Sequence, residues 1–273
     1  TGTYDATGFT GLHIGGAITG DSVFSNVAAG TTLTIDAAPG NVVSYALKDA
    51  TGTSDSVSIT VNKATADGLD LSGKSVDVTG IESVSISSLG TEITGAVANK
   101  IKLADTTATT SVLKTITLTG NQDITVSDAL TGTAKIATVN ASAVTGAVNL
   151  SGVHVSASGA TITGSATNTN VLTGGAGADT ITGGAKADTI TSGAGLDTLT
   201  GGAGADTFVL GLNANGNQYA TITDFTKTAG TVTGDTIDLS GLTVNALASA
   251  VTALGSAVTL ASTAAFADYL NAA

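Results

Sequence analysis

The sequence predicts an all-β protein built as a parallel β-helix or solenoid, and three observations predict it. Residues 174–209 read in nines as GGAGADTIT, GGAKADTIT, SGAGLDTLT and GGAGADTFV, one pattern four times over. Upstream of them, short segments rich in Thr, Val and Ile recur at spacings of roughly eight to twelve residues, separated by Gly, Asn and Asp. The 273-residue chain carries 36 Gly, one Pro and only 3% aromatic residues, which suits thin repetitive cores better than one bulky core.

Residues 1–62 form a β-rich N-terminal segment. Within it 31–36 (TTLTID), 41–47 (NVVSYAL) and 56–61 (SVSITV) alternate with period two and read as strands; nothing there reads as helix. Asp49 and Asp55 bracket an Ala-Thr-Gly-Thr-Ser turn, read first as an ordinary solvated turn and second as a place for a cation.

Residues 63–172 continue in the same manner. The expected strands are 76–78, 84–86, 101–103, 116–118, 124–126, 136–139, 148–150 and 153–155, with a last one at Ile162. The spacing fits a sandwich or an irregular solenoid. The solenoid is preferred because these strands run into the nonapeptides without a linker. Four nonapeptides make only two coils, which need a stack to lean on.

Residues 173–209 are the centre of the chain. The six-residue half of each repeat is too rich in Gly for a strand interior; Gly reaches positive φ cheaply and makes a tight turn. The other half is a minimal strand whose central residue (Ile181, Ile190, Leu199 and Phe208) points to one face while its neighbours point to the other. Asp179, Asp188, Asp197 and Asp206 hold the sixth place. With two nonapeptides per coil, Asp179 stacks on Asp197 and Asp188 on Asp206. Two bare carboxylates ~4 Å apart repel by about 4 kcal/mol at an effective dielectric near 20. A dication with oxygen-only ligands removes that cost, and calcium is the ion that prefers such a shell.

The expected metal-binding turns comprise Gly174, Gly175, Ala176, Gly177 and Asp179, then Gly183, Gly184, Ala185, Lys186 and Asp188. They continue with Ser192, Gly193, Ala194, Gly195 and Asp197, then Gly201, Gly202, Ala203, Gly204 and Asp206. Lys186 and Ser192 stand where the pattern has Gly, which weakens single turns and leaves the phase intact. One repeat upstream, residues 165–173 keep the register with Asn170 at the Asp place, a weaker ligand opposite Asp188. A Gly-rich flexible linker is the plain alternative. It fails because random composition does not set an Asp and a large apolar residue in phase four times.

Residues 210–273 read as capping strands and a helical tail. Strands at 219–225 (YATITDF) and 234–242 (GDTIDLSGL) bring Phe208, Phe225, Ile237 and Leu239 over the open end. Asp224, Asp235 and Asp238 read as solvating that cap, with a final ion as the alternative. Apolar residues at helical spacing predict short C-terminal helices over 244–254 and 262–272, with Ser262 or Thr263 as N-cap of the second.

The nonapeptides resemble the RTX (repeats-in-toxin) family of secreted calcium-binding proteins. Segments 80–86 (GIESVSI), 139–146 (VNASAVTG) and the tail are similar to Caulobacter-type RTX surface-layer proteins. The resemblance implies calcium as cofactor and type I secretion to the cell surface, directed by an uncleaved C-terminal signal. It also implies self-association into a two-dimensional lattice, with cell-surface polysaccharide as a further partner. RTX arrays also occur on adhesins, toxins, proteases and lipases. An adhesin or biofilm-matrix protein, and the noncatalytic roll of a secreted enzyme, are therefore the alternatives.

Bulk properties exclude other classes. Net charge is −12 and all nine basic residues are Lys, a poor basis for binding nucleic acid. There is no Cys for disulfides or thiolate metal sites, and no apolar run approaches the ~18 residues of a membrane span. Gly20-Asp21-Ser22-Val23 resembles a GDSL nucleophile box, with His13 or His154 as the only histidines to serve it. No Gly-x-Ser-x-Gly elbow and no HExxH helix accompanies it, and His154 between two valines reads as a strand histidine facing solvent. The sequence is therefore read as that of a protein that is not an enzyme.

Overall fold

The computed structural model describes residues 2–238, apart from 17–18, 38–41, 50, 64–67, 91–97, 106–110, 131–135, 212–219 and 228–233. The two expected C-terminal helices and Leu239 lie outside the described residues. Strands follow one another as β1 (Gly2–Asp5), β2 (Gly11–Ile14), β3 (Ser22–Val27), β4 (Thr32–Ile35), β5 (Val43–Leu47), β6 (Ser56–Lys63) and β7 (Val76–Asp77). Next come β8 (Ser83–Gly90), β9 (Asn99–Ala104), β10 (Thr115–Gly120), β11 (Ile124–Ala129), β12 (Thr138–Val144), β13 (Val148–Gly152) and β14 (Thr161–Thr163). The repeats and cap supply β15 (Asn170–Thr173), β16 (Thr180–Gly184), β17 (Thr189–Thr191), β18 (Thr198–Gly202), β19 (Thr207–Val209), β20 (Thr221–Ile222) and β21 (Thr236–Asp238).

The chain winds so that every odd strand joins one sheet of eleven and every even strand joins another of ten. All pairings are parallel, each strand lying on the one two places earlier. At ~4.8 Å per strand the longer sheet spans about 48 Å. This is a two-sheet parallel β-roll, and it is all-β throughout the described residues. The two sheets run without a break across residue 62, which lies inside β6, and across residue 172, which lies inside β15.

Coil length separates the repeats from the rest. In the array Thr180 lies under Thr198 and Thr189 under Thr207, 18 residues per coil. Upstream Ser83 lies under Thr115, 32 residues later, and the surplus forms the connections between strands. The core is one continuous cluster from Ala6 to Leu210, built from alternate residues of each strand. Ile162, Ile181, Leu199 and Ile222 form one column on the inner face, and Leu172, Ile190, Phe208 and Ile237 form the facing one. Outward positions are filled by Thr and Ser, which suit a pleated, half-solvated surface.

Two strand expectations need correction. Residues 153–155 are not a strand: Val153 and Val155 are buried, but only an isolated bridge joins Ile136 to Val155. The expected strand 136–139 correspondingly starts later, at Thr138. The sequence also gave no hint of β1, β2 or β3, whose short segments are held by parallel pairing rather than by strong alternation.

Candidate metal centre

The residue before each strand of the array is an aspartate, so the 18-residue coil places these aspartates in two columns. Asp179 and Asp197 stand where even strands begin; Asp188 and Asp206 stand where odd strands begin. All four are at most 2% exposed. Each column is stitched by one repeated hydrogen bond. The Asp179 amide donates to Asp197 Oδ1 at 2.9 Å, and the Asp188 amide donates to Asp206 Oδ1 at 2.9 Å. Asp179 and Asp188 each reach one coil back as well, accepting from the Ala160 and Asn170 amides at 2.7 Å. Their second oxygens accept from their own turns, from Gly175 N at 2.7 Å and Gly184 N at 2.6 Å.

Burial dominates the electrostatics. Desolvation raises the pKa of all four aspartates against the backbone amides that lower it. Asp188 and Asp197 are each pushed up to about 6, with the stacked neighbour (Asp206 and Asp179 respectively) adding to the rise. No ion pair to any of these aspartates occurs among the described residues, and Lys186 is exposed at its turn. Buried carboxylates without a counter-charge favour protonation or a bound cation.

The donor set fits a hard cation. A methyl group added to Gly183 would collide with both Asp188 Oδ2 and the Gly201 carbonyl oxygen. One added to Gly174 would collide with Asp179 Oδ2 and the Ser192 carbonyl oxygen, and one on Gly201 with Asp206 Oδ2. Carboxylate and carbonyl oxygens from successive coils thus converge where Gly leaves room. Among the described residues no three His, Cys, Asp or Glu side chains cluster, so carbonyls must complete any shell. That is calcium chemistry rather than zinc chemistry.

The remaining expected residues divide. Ala176 bridges Ala194, and the Gly177 amide donates to the Ala194 carbonyl, so these turns pair by backbone. Gly193, Gly195, Gly202 and Gly204 all carry positive φ, whereas Gly174, Gly175, Gly183, Gly184 and Gly201 do not. Ala185 is exposed, and the Ala203 amide donates to the Gly184 carbonyl. Ser192 is buried and accepts from the Gly211 amide at 3.0 Å. Asn170 does lie opposite Asp188, donating Nδ2 to its Oδ1 at 2.9 Å. Its oxygen, the atom an ion needs, accepts from the Ser165 amide at 2.6 Å.

Two aspartates beyond the repeats do more than solvate the cap. Asp235 takes the Asp206 amide at 2.9 Å, extending that column by one coil. Asp224 takes the amides of Gly201 and Gly202 at 3.0 and 2.7 Å. Their signal in the sequence was the Asp before a Thr-Ile pair, as in the repeats, in the case of Asp235. Among the described cap residues the Phe208 and Phe225 rings lie 6.4 Å apart, and Ile237 stacks on Phe208. The GDSL-like box has no chemistry to offer, because Ser22 is completely buried at the start of β3. His13 pairs with Asp36 at 2.7 Å, and the solvent-facing His154 pairs with Asp128 at 2.9 Å.

Comparison with protein families agrees with this geometry. Residues 167–195, 173–208 and 182–215 match the RTX calcium-binding nonapeptide repeat, in four copies. No curated protein matches the chain. The segment is an RTX array, and RTX nonapeptide repeats bind calcium, so calcium is the cofactor of this roll.

Proposed function

We propose that the chain is a secreted structural subunit of a bacterial cell surface, of the surface-layer kind, that folds and assembles when calcium fills its RTX turns. The ligands are the carboxylates of Asp179, Asp188, Asp197 and Asp206 together with carbonyls of the Gly-rich turns. The observation that carries the reading is the continuity of both sheets from β1 and β2 into the repeats. The calcium segment shares both sheets with the strands before it, so filling it rigidifies the element that would pack in a lattice. Extracellular sites of this type bind at roughly 10⁻⁴ to 10⁻³ M and fill only outside the cell. At ~1 mM calcium and a dissociation constant of ~0.1 mM, each site adds about 1.4 kcal/mol by mass action.

Electron microscopy of the protein after addition of millimolar calcium tests this. Ordered two-dimensional arrays that dissolve in chelator are the expected result. Dispersed rods at every calcium concentration would overturn the lattice role and favour an adhesin.

A further inference from the structure

The ten-stranded sheet turns one face to solvent, and the pairing register shows what stands on it. One outward column runs from Ser56 on β6 to Thr221 on β20, and every member is Ser or Thr. A second column, two residues further along each strand, runs from Thr32 on β4 to Thr200 on β18. It too is Ser or Thr at every strand except β12, which supplies Asn140. No member of either column is buried, and none carries a charge or an aromatic ring. The register shift on β10 falls after Thr117 and leaves both columns intact. At the far end the hydroxyl oxygens of Thr200 and Thr223 lie 2.8 Å apart.

Strand propensity alone would fill both sheets alike, since Thr suits any half-solvated strand. The eleven-stranded sheet of the same roll has the same parallel pairing, yet its outward positions are mixed. Lys100 and Lys102 both face out on β9, and Val23, Val171 and Val209 interrupt the hydroxyls elsewhere. A register shift after Thr125 breaks it as well. The uninterrupted array therefore belongs to one face, not to the fold.

That array has two fixed intervals, about 4.8 Å from strand to strand and about 6.7 Å between residues two apart on one strand. The backbone ladder sets both, so the hydroxyls are ordered before any ligand arrives. A flexible polymer has no such intervals, a charged partner finds no counter-charge here, and a sugar ring finds no aromatic ring to stack on. Hexagonal ice fits on each count. It is neutral, its surface oxygens repeat at closely similar intervals in two directions, and Thr offers a hydroxyl to bond a water and a methyl to fill the space between. We propose that this face binds ice, through a layer of ordered water held by its hydroxyls. Such binding goes beyond the surface-layer reading and does not depend on it.

The unaltered protein in calcium is tested by growing ice slowly through its solution. Enrichment in the ice over a non-binding protein of similar size, with faceted crystals that freeze below their melting point, is expected. Exclusion from the ice with unshaped crystals would overturn the proposal, and this result decides even where a variant fails to fold. T117K and T163K each set a charge in the second column and should abolish both effects. T125K sets the same charge on the other sheet, beside Lys100, and should keep both. Circular dichroism in calcium checks that all three are folded. Folded T117K and T163K that enter ice as the parent does, or T125K as the variant that loses ice, would sink the assignment. A parent that stays out of ice and sediments as a dimer, which T117K converts to a monomer, would give the face to a second copy of the chain instead.

Discussion

Asp188 is tied to three coils at once. Its Oδ1 receives both the backbone amide and the side-chain amide of Asn170, its Oδ2 receives the Gly184 amide, and its own amide goes to Asp206. Truncating it strands two buried N–H groups in addition to removing a metal ligand. Each stranded donor costs ~1–3 kcal/mol. Asp188→Ala should therefore lower the stability of the calcium-loaded protein by about 2–4 kcal/mol. Asp197→Ala, whose carboxylate supports only the Asp179 amide, should cost less. Urea unfolding in saturating calcium measures both, and equal losses would mean that the shared hydrogen bonds at Asp188 carry no weight. The sixth-place aspartates were legible because period nine is a strong signal. Asp224 and Asp235 were legible only as acids of the cap, because coils of other lengths break the nine-residue phase. Only the pairing register reveals that Asp235 stands to β21 as Asp206 stands to β19.

At the scale of the element, a turn of this roll is set by how closely backbones approach. Gly195 has φ +142°, and a methyl group there would run into the Gly177 carbonyl oxygen of the coil below. Gly195→Ala thus combines an unfavourable backbone conformation with a clash that no side-chain rotation relieves. It should cost about 1–3 kcal/mol and weaken calcium binding in the same turn. Gly73 is the control: its φ is not positive and nothing lies within 4 Å of a methyl group, so Gly73→Ala should be neutral or slightly stabilising. Thermal melts of the two variants with and without calcium test the contrast, and equal behaviour would refute it. The strands themselves were legible wherever Val, Ile or Leu alternate with Thr or Ser, as in β6, β8 and β10. They were illegible in β1, where Tyr4 is the single large apolar residue and is itself half exposed. There the strand exists because β3 offers a parallel partner, a tertiary cause with no local trace.

Across the whole molecule, protons and calcium compete for the same buried carboxylates, and the sign of that competition can be worked out. Without metal, Asp188 and Asp197 titrate near 6 in the folded roll against 3.8 for the ordinary side chain, desolvation being the main cause. The folded state then holds more protons than the unfolded state between about pH 4 and 6, so its stability falls as pH rises through that window. Asp70 works the other way, held down to about 2 chiefly by its hydrogen bond from Lys100, but its window lies below pH 4. Bound calcium reverses the slope, because the ion needs these carboxylates ionised and protons displace it. In chelator the midpoint of thermal unfolding should therefore be higher at pH 4.5 than at pH 7. In millimolar calcium the order should invert, and the two curves should cross. General repulsion at a net charge of −12 also favours lower pH in chelator, so the residue-specific share needs its own control. Asp188→Asn with Asp197→Asn removes both titrating groups and should flatten the chelator slope between pH 4.5 and 6. If the slope in chelator is unchanged in that double variant, the two aspartates are not what couples this fold to pH, and the crossing of the curves has another origin.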